Sequence, residues 1–217
     1  MNVGKKFLGL IAAGIMASFG AADAATLSIS GGSASTLGAN YNPTTATGLS
    51  AGSAVTKFTV ATSGDSLGGG LVLTGQSRVT FTFLGKEAGA KDFIFETVGG
   101  LFLRNTVAAG TSIVFDQLTT NAYVKFFFTT NLFLPATPKI VNGGVDDDKR
   151  LALAFSDVFN GGMSVLALFD DGAGKPDRDF DDMVVQIDVQ AIPLPAGGLL
   201  LLTGLGGLAL ARRRKAL

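Results

Sequence analysis

The sequence predicts an all-β protein with a single β-sandwich domain of jelly-roll-like type, and two observations lead to this prediction. First, several segments alternate apolar and polar residues with a period of two, as half-buried strands do. In RVTFTFL the residues Val79, Phe81 and Phe83 share one face, and MVVQIDV alternates in the same way from Met183. Second, short turns such as SLGGG, VGG, AAG and NGG separate these segments at the spacing typical of a sandwich.

The domain is expected to occupy residues 55–191. Strands are predicted in this order: 55–61, 78–84, 93–97, 101–104, 113–116, 123–129, 151–155, 163–169 and 183–189. The preceding segment, 25–54, is rich in Ser, Thr, Gly and Ala and has little periodicity, so it is expected to hold a weak strand around 27–29 and then a loose linker. The Phe-rich runs FTF, FIF and KFFFTT alternate with Thr or charged residues and are expected to form part of the core.

Residues 1–24 are predicted to be a secretory signal peptide. Lys5 and Lys6 precede an apolar run over 7–19, and the small residues Ala22 and Ala24 follow it. The run has about a dozen residues and is shorter than the roughly 20 that a membrane span needs. We therefore expect export, with cleavage by signal peptidase after Ala24 and with Ala25 as the alternative position.

The C-terminal segment, 192–217, is expected to tether the exported body to the membrane. Residues 197–211 are apolar, Gly or Thr throughout and are predicted to form a transmembrane helix. A basic cluster of Arg212, Arg213, Arg214 and Lys215 follows directly, and such clusters stay on the cytoplasmic side. At 1.5 Å per residue, 196–211 is roughly 24 Å long, a little under the hydrocarbon core of about 30 Å, so it can form only a short span.

The order of these features resembles the PEP-CTERM class of bacterial sorting signals. The motif before the helix is similar to the VPLPA variant, with Ile in place of the first Val, and consists of Ile192, Pro193, Leu194, Pro195 and Ala196. The resemblance implies that the helix holds the protein in the inner membrane until an exosortase-type transpeptidase processes it. It also implies a cell-surface or extracellular destination in a bacterium that makes exopolysaccharide. A plain membrane anchor without processing remains the alternative.

Composition excludes several classes of function. The chain has no Cys and no His, so disulfides, thiolate zinc sites and a Ser-His-Asp triad are absent. Six of the 17 Lys and Arg residues, but only one of the 17 Asp and Glu residues, lie in the two terminal segments. The body therefore carries a net charge of about −5, which disfavours nucleic acid as a partner.

One acidic segment, FDDGAGKPDRDFDDMVVQIDV, is the candidate metal site. Its candidate ligands are Asp170, Asp171, Asp177, Asp179, Asp181 and Asp182. So many carboxylates repel each other unless water or a cation relieves them, and Ca²⁺ favours flexible, oxygen-rich loops. If Asp177, Asp179 and Asp181 are aligned with positions one, three and five of an EF-hand loop, the sixth position, normally Gly, is Asp182. A strand also follows where an EF-hand has a helix, so an EF-hand is not expected.

Two interpretations of this segment stay open: a calcium site, and a solvated acidic turn in which Asp side chains cap backbone N–H groups. The run Asp146, Asp147 and Asp148 either supplements the site or forms a separate charged loop.

The stretch DRDFDDMVV resembles the closing signature of a domain of unknown function in exported bacterial proteins. VTFTFLGKEAG and ALFDDG are similar to segments of PEP-CTERM-associated proteins with that domain, so the likeness covers roughly residues 71–189. It implies a β-sandwich whose acidic motif is suspected of holding calcium, and it carries no established activity.

The function expected from these features is that of a non-catalytic surface or matrix protein associated with exopolysaccharide. A glycan-binding module and a calcium-stabilised adhesion domain are the alternatives, although the absence of Trp and the presence of only two Tyr weaken the former. A glycosidase would need two carboxylates. Glu87 and Glu96 are the only glutamates of the body, neither lies in a recognisable catalytic context, and Glu87 is expected to be a turn residue.

Overall fold

The structure of the protein, a computed structural model, describes residues 25–42, 47–87, 89–130, 138–172 and 179–192. Ala25–Ile192 forms one compact unit, and about half of its described residues lie in strands. The only helical element among the described residues is a single 3₁₀ turn at Asn160–Gly162. The prediction of an all-β protein is therefore confirmed. The predicted signal peptide and the sorting segment from Pro193 onward lie outside the described residues.

The strands, numbered in chain order, are β1 (Leu27–Ser30), β2 (Ser33–Thr36), β3 (Ala54–Phe58), β4 (Gly70–Leu73), β5 (Ser77–Gly85), β6 (Asp92–Glu96), β7 (Phe102–Arg104), β8 (Ser112–Gln117), β9 (Ala122–Tyr123), β10 (Phe126–Thr130), β11 (Lys139–Val141), β12 (Ala152–Ser156), β13 (Ser164–Asp170) and β14 (Met183–Ala191).

These strands form three sheets with antiparallel pairing throughout. The largest has seven strands in the order β2-β3-β12-β13-β14-β5-β8. A four-stranded sheet has the order β11-β10-β6-β7, and a three-stranded sheet has the order β1-β4-β9. Both smaller sheets share one hydrophobic core with one face of the seven-stranded sheet, because side chains from all three belong to the same buried cluster.

The period-two pattern explains how the strands contribute to this core. In β5 the side chains of Val79, Phe81 and Phe83 are buried in the cluster, whereas Arg78 is exposed. Aromatic rings then connect the layers: the Phe81 ring meets the Phe126 ring of β10 edge to face at a centroid distance of 5.5 Å. The Phe-rich runs therefore contribute to the core, as the sequence predicts, except that Phe95 and Phe127 lie half-buried on the other face of the four-stranded sheet.

The central strands β12 and β13 are buried on both faces, so they appear as continuous apolar runs without alternation. Their second face belongs to a smaller cluster that includes Leu37, Tyr41 and Phe180. The segment between β2 and β3 and the approach to β14 therefore help to cover the outer side of the seven-stranded sheet.

The leading segment, 25–54, is more ordered than the sequence indicates. Besides β1, close to the expected strand, it contains β2, which pairs with β3 along Ser33–Thr36. The sequence SAST has no apolar alternation, since β2 is an edge strand with largely exposed side chains. Pairing with β3, and not local propensity, is what makes it a strand.

The single strand predicted at 123–129 is divided into β9 and β10, which belong to different sheets. The Gln117 side chain sits at the division: its Nε2 donates to the Tyr123 carbonyl at 3.1 Å, and its Oε1 accepts from the Lys125 N–H at 2.9 Å. Val124 N–H donates to the Leu71 carbonyl at 2.9 Å. These bonds fix the point at which the chain crosses between sheets.

The Asn142 side chain links β4 of the three-stranded sheet to the segment just before β10. It is buried, its Oδ1 accepts from Leu71 N–H at 2.8 Å, and its Nδ2 donates to the carbonyls of Leu71 and Val124 at 2.9 and 2.8 Å. Replacing Asn142 with Leu leaves the buried Leu71 N–H without its partner and removes the amide donor from the carbonyls of Leu71 and Val124, each of which keeps one backbone donor. We expect urea denaturation to show a loss of about 2 to 4 kcal/mol in the free energy of unfolding.

The control is Gln190→Leu, which removes an exposed amide from β14 and is expected to change stability by less than about 0.5 kcal/mol. If Asn142→Leu were as mild as this control, Asn142 would not join the sheets in the way its hydrogen bonds indicate.

Candidate cation-binding site

The acidic segment lies at one end of the β13–β14 hairpin. Because Phe169 pairs with Met183, the end of β13 and the start of β14 meet, and Asp170 and Asp171 lie near Asp182. The backbone N–H of Asp171 donates to Asp182 Oδ2 at 2.7 Å. Asp177 lies outside the described residues.

Most of the predicted acidic residues are buried. Asp170, Asp171, Asp179 and Asp181 have little or no exposed surface, and Asp182 is half-buried. The Asp170 carboxylate accepts from the N–H of Gly172 at 3.0 Å, as in the capped turn that is the alternative to a metal site. Burial distinguishes this cluster from an ordinary solvated turn, because a carboxylate without water needs compensation from its surroundings.

Two carboxylates that sequence reasoning did not assign to the site also lie there. Antiparallel pairing of β14 with β5 brings the loop after β5 next to Asp181, and the Glu87 N–H donates to the Asp181 carbonyl at 2.7 Å. Glu87, Asp181 and Asp182 each offer one carboxylate oxygen, and these three oxygens lie within 4.8 Å of one another. This spacing is compatible with shared coordination of one cation.

The second addition is Asp92, the first residue of β6, which is completely buried. Burial, followed by the negative charge of Asp171, raises the pKa of Asp92 to about 7, while the positive charge of Lys86 opposes the rise. The only local signal for Asp92 is a carboxylate at the beginning of an apolar strand. It does not identify the neighbours that the fold supplies.

Asp182 experiences the same environment. Burial is the main cause that raises its pKa to about 8, and the nearby charges of Asp171, Asp170 and Asp92 add to the rise, while the hydrogen bond from the Asp171 N–H opposes it. Carboxylates from the β5–β6 region, from the end of β13 and from the start of β14 therefore form one electrostatic group, the acidic cluster. A cation or protons would relieve its mutual repulsion.

Asp181 is the most informative member of the acidic cluster. Its side chain is 0% exposed, and its Oδ2 accepts from the Asn42 N–H at 2.6 Å. Its Oδ1 is also buried but has no hydrogen-bond partner among the described residues. A buried carboxylate oxygen normally has a donor or a cation next to it.

Phe180, between Asp179 and Asp181, holds the segment in an uncommon conformation. Its φ is 67°, in the left-handed region, which a bulky residue rarely adopts. Its ring is completely buried in the cluster on the outer side of the seven-stranded sheet, and Lys57 Nζ lies 4.8 Å from the ring centroid. Burial of Phe180 therefore fixes the backbone direction between two of the candidate ligands.

Asp146, Asp147 and Asp148 form their own turn. Asp146 Oδ1 accepts from the Asp148 N–H at 2.9 Å, and Asp148 pairs with Arg150, which lowers the pKa of the Asp148 carboxyl. Asp147 lies 4.0 Å from Lys139 Nζ. These contacts account for the run without assigning it to the acidic cluster.

Of the predicted sorting motif, the structure describes Ile192 alone, whose N–H donates to the Gln76 carbonyl at 3.1 Å. Pro193, Leu194, Pro195, Ala196, Arg212, Arg213 and Arg214 lie outside the described residues, as does the predicted transmembrane helix. Within the described part of the chain, no helix has the length and apolar character required to cross a membrane.

No protein-family model, curated protein or solved structure matches this chain.

Proposed function

We propose that the protein is an exported, non-catalytic component of the cell surface or extracellular matrix whose β-domain is stabilised by calcium. The observation that carries the calcium part is the buried Asp181 Oδ1, which has no hydrogen-bond partner among the described residues and belongs to a carboxylate that converges with Glu87 and Asp182. Ca²⁺ takes six to eight oxygen ligands, and carboxylates are its usual protein ligands.

The proposed architecture is a single jelly-roll-like β-sandwich. Its support is the common core between the seven-stranded sheet and the two smaller sheets. Two packed layers of antiparallel sheet bury their apolar faces against each other in such a fold. Exported domains are often stabilised by disulfides, which a chain without Cys lacks. A rigid, well-packed sandwich would instead stabilise this domain for display outside the cell.

A cation would connect parts of the chain that are distant in sequence. Glu87 follows β5, whereas Asp181 and Asp182 precede β14, so one ion between them would join the two loops. The ion would also offset the burial and the mutual repulsion that together raise the pKa values of Asp182 and Asp92. Asp170, Asp171, Asp177 and Asp179 are then second candidates for ligands or for charges that attract the ion.

The non-catalytic part of the proposal is supported by the way the carboxylates are used. Glu96, the other glutamate of the body, accepts hydrogen bonds from the N–H groups of Val98, Gly99 and Leu101, and so holds the β6–β7 turn. Glu87 belongs to the acidic cluster. A glycosidase needs one carboxyl group as acid and another as base or nucleophile on either side of a substrate.

Export and sorting are proposed from the two ends of the sequence. Signal peptidase would remove residues 1–24, and an exosortase-type enzyme would process the sorting motif after the helix has held the protein in the inner membrane. Mass spectrometry of the native protein tests this proposal: we expect a mature species that begins at Ala25 and lacks the Arg212–Lys215 tail. A mature species that retains the tail would indicate a plain membrane anchor.

Thermal unfolding of the full chain in detergent, with millimolar Ca²⁺ or with chelator, tests the calcium proposal. An ion that binds only the folded state stabilises it by about 2.7 kcal/mol at 100 times Kd. For a domain of this size, we expect Tm to rise by about 5 to 10 °C. Asp181→Asn is expected to abolish the rise, because it weakens the buried ligand while keeping an acceptor for the Asn42 N–H.

The matched control is Asp157→Asn, since Asp157 is an exposed aspartate outside the acidic cluster. It is expected to keep the full calcium response. An equal Tm with calcium and with chelator in the unsubstituted protein would leave the acidic cluster as a buried polar turn and would overturn the proposal.

Glycan binding is the second candidate function, and the observation that favours it is a row of aromatic rings on the outer face of the four-stranded sheet. The rings of Phe95, Phe102 and Phe127 stack there across three neighbouring strands. This row supplies apolar contact surface in a body that has no Trp.

A further inference from the structure

The outer face of the four-stranded sheet carries an unusual set of side chains. Its inner face contributes Ile94, Leu103 and Phe128 to the main core. Because side chains alternate along a strand, Phe95 and Phe102 point to the opposite side. An antiparallel sheet with one buried face normally presents polar residues on the other. Part of this outer face is already covered, since Phe93 lies on the same side and is 1% exposed, whereas Phe102 at the edge is 48% exposed and needs an explanation.

The rings on this side form a continuous stack. Phe95 stacks on Phe127 at a centroid distance of 5.2 Å and an angle of 6°, and on Phe102 at 4.9 Å and 23°. The register aligns these three residues across β10, β6 and β7. Phe102 ends the row on the edge strand β7 and remains 48% exposed. We call this row the aromatic face.

Positive charge surrounds the aromatic face. Arg104, two residues after Phe102 on β7, shares its side of the sheet and is exposed. At the opposite edge, Lys139 Nζ lies 5.9 Å from the Phe127 ring centroid and 4.0 Å from the Asp147 carboxylate, which offsets part of its charge. Lys125 precedes β10 and is also exposed. The body as a whole has a net charge of about −5, so this basic surface runs against the overall charge.

Both features point to a partner that is anionic and has apolar surface to place against rings. We propose that the aromatic face binds an acidic polysaccharide, with uronic acid carboxylates bound by Arg104 and Lys139 and sugar C–H groups packed on Phe102. This inference rests on the proposed surface function, which places the domain among polysaccharides. The planar guanidinium of Arg104 can bind a carboxylate through two parallel hydrogen bonds.

Nucleic acid suits this face less well. Its affinity comes mainly from many phosphate contacts, and a domain with net negative charge repels a polyanion of that charge density beyond a small patch. A polyuronate has a lower density of charge and offers an apolar surface between its carboxylates.

Binding of the full chain in detergent to polygalacturonate, with neutral dextran as the matched polymer, tests the proposal. The measurement is made in chelator, because calcium could bridge the polymer to the acidic cluster, and circular dichroism verifies that each variant is folded. We expect retention on polygalacturonate but not on dextran, and weaker retention as salt increases. Phe102→Ala and Arg104→Gln are each expected to reduce affinity about tenfold.

Two controls lie on other surfaces. Leu118→Ala removes an apolar side chain that is 63% exposed, and Arg78→Gln removes an exposed guanidinium of the seven-stranded sheet. Both are expected to bind as the unsubstituted protein does. Comparison with single-stranded DNA and with anionic vesicles distinguishes the polysaccharide from other polyanions.

Absence of polygalacturonate binding, equal retention on dextran, tighter binding to DNA or vesicles, or binding unaffected by Phe102→Ala and Arg104→Gln would each overturn the inference. The calcium response is measured on the same variants. Phe102→Ala is expected to keep its calcium-dependent rise in Tm, so failure of polysaccharide binding can be distinguished from failure of the proposed calcium stabilisation.

Discussion

Asp182→Asn is expected to stabilise the calcium-free protein at pH 8.5 and at the same time to remove its response to calcium. The calcium-free cluster holds too much negative charge at this pH, and the substitution removes one charge while the amide oxygen can still accept from the Asp171 N–H. In calcium the same substitution removes a candidate ligand. A substitution that merely disrupted the fold would lower stability in both conditions. A gain in stability without calcium, together with a lost calcium response, therefore indicates relief of electrostatic repulsion.

The direction of the pH dependence follows from proton linkage. In the unfolded chain the Asp182 carboxyl ionises near its ordinary pKa of 3.8, whereas in the folded protein burial raises the pKa to about 8. Between these values the folded state binds the additional proton, so stability falls as pH rises, and the full cost is present above pH 8. Below pH 3.8 both states are protonated and the contribution disappears.

Asp92 acts in the same direction up to its folded pKa of about 7. The ion pairs of Asp116 and Asp148 act in the opposite direction, because their pKa values are lowered, but they lie at the surface and contribute little. With allowance for the partial exposure of Asp182, we expect a loss on the order of a few kcal/mol between pH 5 and pH 8.5 in chelator.

Urea denaturation at these two pH values measures the effect. Asp182→Asn is expected to show a smaller loss than the unsubstituted protein, and saturating calcium is expected to reduce the loss in the latter. The matched control, Asp157→Asn, is expected to retain the original pH dependence. A calcium-free protein that becomes more stable from pH 5 to pH 8.5 would contradict the raised pKa values of the acidic cluster.

Phe126→Ala is expected to cause the largest loss of stability, about 3 to 5 kcal/mol, since a large buried ring is removed and a cavity remains. The Phe126 ring packs edge to face against Phe81 at 5.5 Å and Phe155 at 6.4 Å, both of which lie in the seven-stranded sheet. It therefore joins the four-stranded sheet to the opposite layer.

The measurement is again urea denaturation, with Phe102→Ala as the matched control. Phe102 is exposed on an edge strand, and its truncation is expected to cost less than about 1 kcal/mol. Similar losses from the two substitutions would contradict the assignment of Phe126 to the core between the layers.

The all-β class follows from the amino-acid sequence alone, because the period-two alternation that marks strands is a local property. The alternation identified both β5 and β14 as strands. In β5 it also identified the side chains that enter the core. β4 and β11 were not identified, because these short segments read GLVL and KIV and do not alternate apolar with polar residues. The division between β9 and β10 depends on Gln117, which no local pattern reveals.

Which carboxylates lie close together depends on how the strands pair in the folded chain. The density of aspartates indicated the acidic segment, but Glu87 joins it because β5 pairs with β14, and Asp92 is close because β6 begins nearby. The aromatic face has the same origin, since Phe95, Phe102 and Phe127 become neighbours only through strand pairing. A side-chain period can be read from adjacent residues, whereas pairing and register depend on the burial of segments that are far apart in the chain.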